Sequence, residues 1–100
     1  MNNITKVSEI TASDLAEYMR LDEVDVQDTN TLNNMLGVAK TYIQNYTGVA
    51  SDKMDDYQDF VIVAFILVQD MWDTRTLYID KSNVNKAVDS ILGMHSINLL

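Results

Sequence analysis

Residues 51–75 read SDKMDDYQDFVIVAFILVQDMWDTR, and the fold turns on whether their apolar centre is a strand or a helix. Val61, Ile62, Val63, Ile66 and Val68 favour strands by intrinsic preference. Length and flanks decide the other way. No glycine or proline interrupts residues 49–92, and apolar residues continue at helical spacing on both sides of the run, through Tyr57, Phe60, Val61, Ala64, Phe65, Val68, Met71 and Trp72. The spacing predicts a helix. Because 60–68 is apolar on nearly all sides, that helix is expected to be central, with the other segments enclosing it and Phe65 pointing inward.

Three further segments read as helices around it. In TASDLAEYMRLD (11–22), Thr11 or Ser13 is positioned to cap a short helix, and Glu17 lies toward the positive end of its dipole. Leu15, Tyr18, Met19 and Leu21 form its inward side. The next helix carries the clearest stripe: Leu32, Met35, Leu36, Ala39, Tyr42, Ile43 and Tyr46 fall on one face. Asp28 is its expected cap, and Gly48 its expected left-handed stop. A last helix is expected from Ser82 or Asn83 to Leu92, with Val84, Ala87, Val88, Ile91 and Leu92 inward and Gly93 ending it. Between the third and fourth helices, TLYIDKS (76–82) reads as a connector with exposed apolar candidates. The fold class is therefore all-α, a small bundle of four to five helices around a central apolar helix. One domain spans 1–100, and 94–100 form an apolar C-terminal tail.

Composition narrows the function classes. The chain has 100 residues, suited to one domain with a small core. Its longest apolar run, Phe60 to Val68, is nine residues, short of the ~18 needed to span a bilayer. The polar opening MNNITKVSEI predicts no export signal, so cytoplasm is the expected compartment, and the triplets Asn3–Thr5 and Asn45–Thr47 then carry no glycosylation message. Without cysteine there is no disulfide framework or thiolate, and one histidine cannot build a multi-His metal site. Fifteen acidic against seven basic residues give a formal charge of −8, with no lysine or arginine stripe of the kind that grips phosphate. Tight nucleic-acid binding is not expected.

The candidates for chemistry fall to plainer readings. Asp52, Asp55, Asp56 and Asp59 fall at i, i+3, i+4 and i+7 on one helix face, a pattern that could hold a divalent cation, but acids in first helical turns serve the dipole and no second helix is expected to supply further ligands. The stretch DEVDVQDTNTLN (22–33) lacks the glycine and terminal glutamate of a calcium loop. His95 beside Ser96 lacks an orienting partner and an enclosed cleft. No Gly-rich phosphate loop is present, and Trp72, Tyr57 and Tyr78 have no basic neighbours that would make them a base-stacking platform. No catalytic residue, cofactor or metal is expected, and the chain reads as an assembly protein rather than an enzyme.

Three stretches carry a family resemblance. They are ITASDLAEYMRLDEVD (10–25), AKTYIQNYTG (39–48), and VIVAFILVQDMWDTRTLY (61–78) followed by VNKAVDSILGMHSINLL (84–100). In this order they resemble the head-tail connector proteins of tailed bacteriophages, also called head-completion adaptors or DNA-packaging proteins. The likeness covers nearly the whole chain, including an aromatic-x-x-Arg end at Trp72–Arg75. It departs where Trp72 replaces an expected tyrosine and where DDYQDF (55–60) lacks a proline. The resemblance implies a ring, dodecameric when docked, beneath the portal protein. Such a ring extends the DNA channel and offers a platform to the next head-completion or tail protein. It also implies a place at the head-tail junction of the virion, with assembly in the host cytoplasm and no membrane partner.

The charge agrees with that reading, because a conduit that must not hold DNA benefits from repelling phosphate. Ring formation needs head-to-tail contacts between two different faces. Leu77, Tyr78 and Ile79 in the connector, and Ile97, Asn98, Leu99 and Leu100 in the tail, are the expected docking residues on portal or neighbouring subunit. The alternative is a small acidic helical regulatory protein, either a DNA mimic or another phage assembly factor. A mimic requires dense, patterned carboxylates, whereas here they are scattered among loops and helix starts.

Overall fold

A computed structural model describes residues 4–96. Among the described residues there are four α-helices and no strand: α1 Ala12–Tyr18, α2 Val26–Thr47, α3 Asp59–Thr74 and α4 Lys86–His95. Three short 3-10 turns, Val7–Glu9, Ser51–Asp56 and Lys81–Asn83, punctuate them. The all-α bundle expected from the sequence is what forms. No helix among the described residues is long and apolar enough to cross a membrane.

Helix α3 is the centre. Phe60, Val63, Ala64, Phe65 and Val68 are wholly buried, and α3 touches each of the other three helices, α2 most extensively. Phe65 packs against the ring of Tyr18 from α1, with centroids 4.9 Å apart. Enclosure is not complete, however. Ile62 is 44% exposed and Ile66 half-buried, so one strip of α3 faces out where three neighbours do not suffice to wrap it.

Local chemistry sets the helix ends. At α1, Thr11 Oγ1 accepts from the Asp14 backbone N–H at 3.2 Å while the Asp14 carboxylate accepts from the Thr11 N–H at 2.9 Å, a reciprocal capping box. Asp14 is the acid of the first turn, and Glu17, expected at the positive end of the dipole, sits in the last turn because the helix stops at Tyr18. Asp25 and Asp28 repeat it at α2. The cap of α2 is therefore Asp25, and Asp28 is its partner one turn in. Gly48 ends α2 at φ 76°, its N–H reaching Gln44 O at 2.8 Å. Thr47, buried just before it, is satisfied locally: its hydroxyl donates to Ile43 O at 2.7 Å and accepts from Val49 N–H at 3.2 Å. Tyr46, expected inward, is 38% exposed, because the stripe drifts around the helix and Thr47 takes the last inward position.

Two other segments depart from expectation, and a third joins the core without a signal in the sequence. Residues 51–56 form a separate 3-10 turn, with Tyr57 and Gln58 between it and α3. Asp52, Asp55 and Asp56 therefore do not continue a face with Asp59. Helix α4 starts at Lys86, capped by Asn85 Oδ1 on the Ala87 N–H at 2.7 Å, and it continues through Gly93 to His95. Val88 and Leu92 are its buried pair, Val84 and Ile91 are half-buried, and Ala87 is exposed. Gly93 does not stop the helix, because the turn after it is held against the first turn of α3. Finally, the polar-looking start of the chain contributes core: Val7 and Ile10 are buried. Ser8 fastens that segment by donating its N–H (3.0 Å) and hydroxyl (2.7 Å) to Asp55.

Candidate docking surface

The connector between α3 and α4 is closed by local hydrogen bonds at both ends. Helix α3 ends with Arg75 at φ 55°, and the Thr76 N–H returns to Met71 O at 3.0 Å, a Schellman closure made with arginine where glycine is usual. Trp72, expected to lack basic neighbours, has one: the Arg75 guanidinium lies 4.3 Å from the centroid of its ring, a cation–π contact that helps offset the unfavourable backbone. Thr74 and Thr76 share a hydroxyl hydrogen bond at 2.9 Å, and Thr76 Oγ1 donates on to Tyr78 O at 3.4 Å. At the far side Asp80 accepts from Ser82 Oγ (2.7 Å), Ser82 N–H (3.0 Å) and Asn83 Nδ2 (2.8 Å). The Ser82 hydroxyl, then Asn83, then the Ser82 amide hold its carboxyl below the usual range.

Pinned at both ends, the connector turns Leu77 (53% exposed) and Tyr78 (65%) outward, while Ile79 is half-buried against the core. Two concavities flank it. One is an open groove of ≈ 540 Å³, walled by Asn34, Gly37, Val38, Thr41 and Tyr42 of α2 and by Leu77, Tyr78 and Ile79. The other, of ≈ 450 Å³, lies between the end of α3 and residues 76–85, and Leu67, Met71, Asp70, Asp73 and Asp80 are among its walls. There desolvation, then the neighbouring Asp73, pushes the Asp70 carboxyl up. In the first groove burial raises the Tyr42 phenol, with Asp89 and Tyr46 adding to it.

The remaining expected docking residues, Ile97, Asn98, Leu99 and Leu100, lie outside the described residues. The point from which they depart is well defined. His95 Nε2 sits 3.0 Å from Asp59 Oδ2, and its ring meets Tyr57 and Phe60 edge-on at 5.1 and 5.6 Å. The last turn of α4 is thus fastened to the first turn of α3. The connector lies past the other end of α3, sixteen residues away, which is about 24 Å at the α-helical rise.

His95 does have an orienting carboxylate, but the hydrogen bond closes the fold; the Ser96 N–H turns back to Gly93 O at 3.5 Å. Among the described residues no group of three or more His, Cys, Asp or Glu is arranged to hold a metal ion. Leu77 and Tyr78 are exposed, as the sequence suggests, and Ile79 is half-buried, whereas the opposite wall of the groove is not signalled in the sequence. Val38 carried no signal, Tyr42 was assigned to the core, and Gly37 marks only an absent side chain. Comparison of the chain with family models, with curated proteins and with solved structures finds no match.

Proposed function

We propose that the chain is a structural component of a tailed-phage virion, a head-tail connector that assembles as a ring under the portal and extends the DNA channel. In this reading it works by docking, with no catalytic step. One observation carries the reading beyond the sequence resemblance. The exposed connector apolar residues and the departure point of the apolar 97–100 segment sit at opposite ends of α3. A subunit with distinct docking elements at its two ends suits heterologous association, the kind that closes into rings. The formal charge of −8 supports a channel through which DNA passes without being held.

The acidity also raises the DNA-mimic reading, but many carboxylates are occupied by the fold itself. Asp14, Asp25 and Asp28 cap helices, Asp55 holds Ser8, Asp59 holds His95, and Asp80 organises the connector. Groups so engaged serve local structure, which favours the connector.

The test is sedimentation of the purified protein with portal rings of the phage that encodes it. Co-sedimentation in a fixed, many-copy ratio is expected. A protein that leaves portal rings bare, while binding and inhibiting a nucleic-acid enzyme, would replace the connector with the mimic.

A further inference from the structure

We propose that the open groove between α2 and the 77–79 connector receives the Ile97–Leu100 segment of a second copy of this chain, joining copies head to tail. The inference rests on the ring reading and names the contact that makes the ring.

The groove differs from the other concavities in charge. Its walls carry no charged side chain, only Leu77, Tyr78, Ile79, Val38, Tyr42 and small or amide neighbours. The cleft beyond the connector is lined by Asp70, Asp73 and Asp80, and the one on the other side of Gly37 by Lys40 and Asp55. Two copies that each carry −8 repel, and the least costly meeting place is a surface without charges on either side. Residues 97–100 match it, since Ile97, Asn98, Leu99 and Leu100 carry no charged side chain and all but one are apolar.

Reach decides which copy supplies the segment. From the end of α4 at His95, the five residues 96–100 extend at most about 18 Å. His95 is fastened to the first turn of α3, and the connector lies past the other end of that helix, sixteen residues or about 24 Å away. Leu77 and Tyr78 are therefore out of range of the segment in their own copy and open to that of a neighbour. Donor and acceptor surfaces are different, so a joined pair keeps one free groove and one free segment. Repetition closes a ring or runs on as a filament, and each added contact gains from effective concentration.

Gly37 makes a clean test. It is exposed, and a Cβ placed there meets nothing within 4 Å, so Gly37→Glu puts a carboxylate into the groove without disturbing the fold. The donor-side variant is Leu99→Asp with Leu100→Asp, in the full chain. Sedimentation velocity up to millimolar concentration is expected to show association for the wild type, weakened at least tenfold in either variant, with thermal midpoints no lower than the wild type's. An equimolar mixture of the two variants is expected to stop at dimers, because one intact groove meets one intact segment.

A wild type that stays monomeric throughout, variants that associate as it does, or a mixture that fails to pair would each overturn the inference. So would a donor variant with a sharply lowered midpoint, which would place the segment on its own copy. Portal co-sedimentation of the same proteins separates the two claims. Portal binding lost with 97–100 while self-association persists would assign the segment to the portal, keeping the connector reading and discarding this contact. If the wild type neither associates nor binds portals, both readings fail.

Discussion

Asp59 and His95, thirty-six positions apart in sequence, meet at 3.0 Å and fasten the end of α4 to the start of α3. The side chains are 55% and 26% exposed, so solvent screens the pair and its own contribution is expected to stay under about 1 kcal/mol. The imidazole also packs edge-on against Tyr57 and Phe60, which adds about 0.5–1.5 kcal/mol. Chemical denaturation should therefore find His95→Ala clearly more damaging than Asp59→Asn. Equal losses would mean that the hydrogen bond, not the ring packing, holds α4 down.

Phe65 is fully buried at the centre of α3, in contact with Tyr18. Truncation to alanine removes transfer free energy and leaves a cavity, costing about 3–5 kcal/mol. That is a large share of the stability of a 100-residue domain. An unchanged denaturation midpoint for Phe65→Ala would contradict the central position of α3.

Gly93 is an exposed residue inside α4, and an added Cβ meets nothing within 4 Å. Gly93→Ala restricts the unfolded chain without strain and should stabilise by about 0.4–1 kcal/mol, a rise of a few degrees in Tm. A fall in Tm would mean that the last turn of α4 is not helical in solution.

Arg20 and Arg75 both hold left-handed backbone, φ 59° and 55°, and both precede the closing hydrogen bond of a Schellman end, Leu21 N–H to Ala16 O and Thr76 N–H to Met71 O. Glycine relieves a backbone cost of about 1–2 kcal/mol at such a position. At Arg75 the change also forfeits the contact with Trp72, about 0.5–1 kcal/mol at an exposed site. Thermal melts should rank Arg20→Gly as the more stabilising of the two, and equal gains would show the Trp72 contact to be negligible.

Acid sensitivity has two opposing contributions. The Ser8 hydroxyl and then its amide hold the folded Asp55 carboxyl below its usual range. That stability is fully present above the unfolded value and is lost as pH falls through the folded one. Asp70 is raised by desolvation and Asp73, so it burdens the fold at neutral pH and the burden lifts as pH falls through its folded value. Urea midpoints at pH 7 and pH 3 are expected to show Asp55→Asn losing less on acidification than wild type. Asp70→Asn should be the more stable protein at pH 7, with that advantage gone at pH 3. Parallel pH profiles for the three proteins would contradict both assignments.

Those features of the fold that depend on near neighbours could be read from the sequence. Residues 60–71 declare a helix by spacing, Gly48 its predecessor's end and Thr11 a cap, because each signal is complete within a turn or two. The break at Tyr57 and Gln58 could not be read, since a 3-10 turn and an α-helix share the i, i+3 spacing of Asp52, Asp55 and Met54's neighbours. Val7 and Ile10 are isolated in a polar stretch and gain meaning only when Ser8 meets Asp55. Gly93 signals a stop that is overruled by the docking of His95 on Asp59. For the candidate docking surface, exposure of Leu77 and Tyr78 was legible, but the groove was not. Its other wall, Val38 and Tyr42, lies some 35 residues earlier in the chain and joins it only through packing.

The central claim, that this chain builds a ring on a portal, is tested most directly by imaging portal particles incubated with the purified protein. The account predicts an added ring, coaxial with the portal and open at its centre, in which the 77–79 connector of each subunit lies against the next. Portal particles that gain no ring density at saturating protein would contradict it.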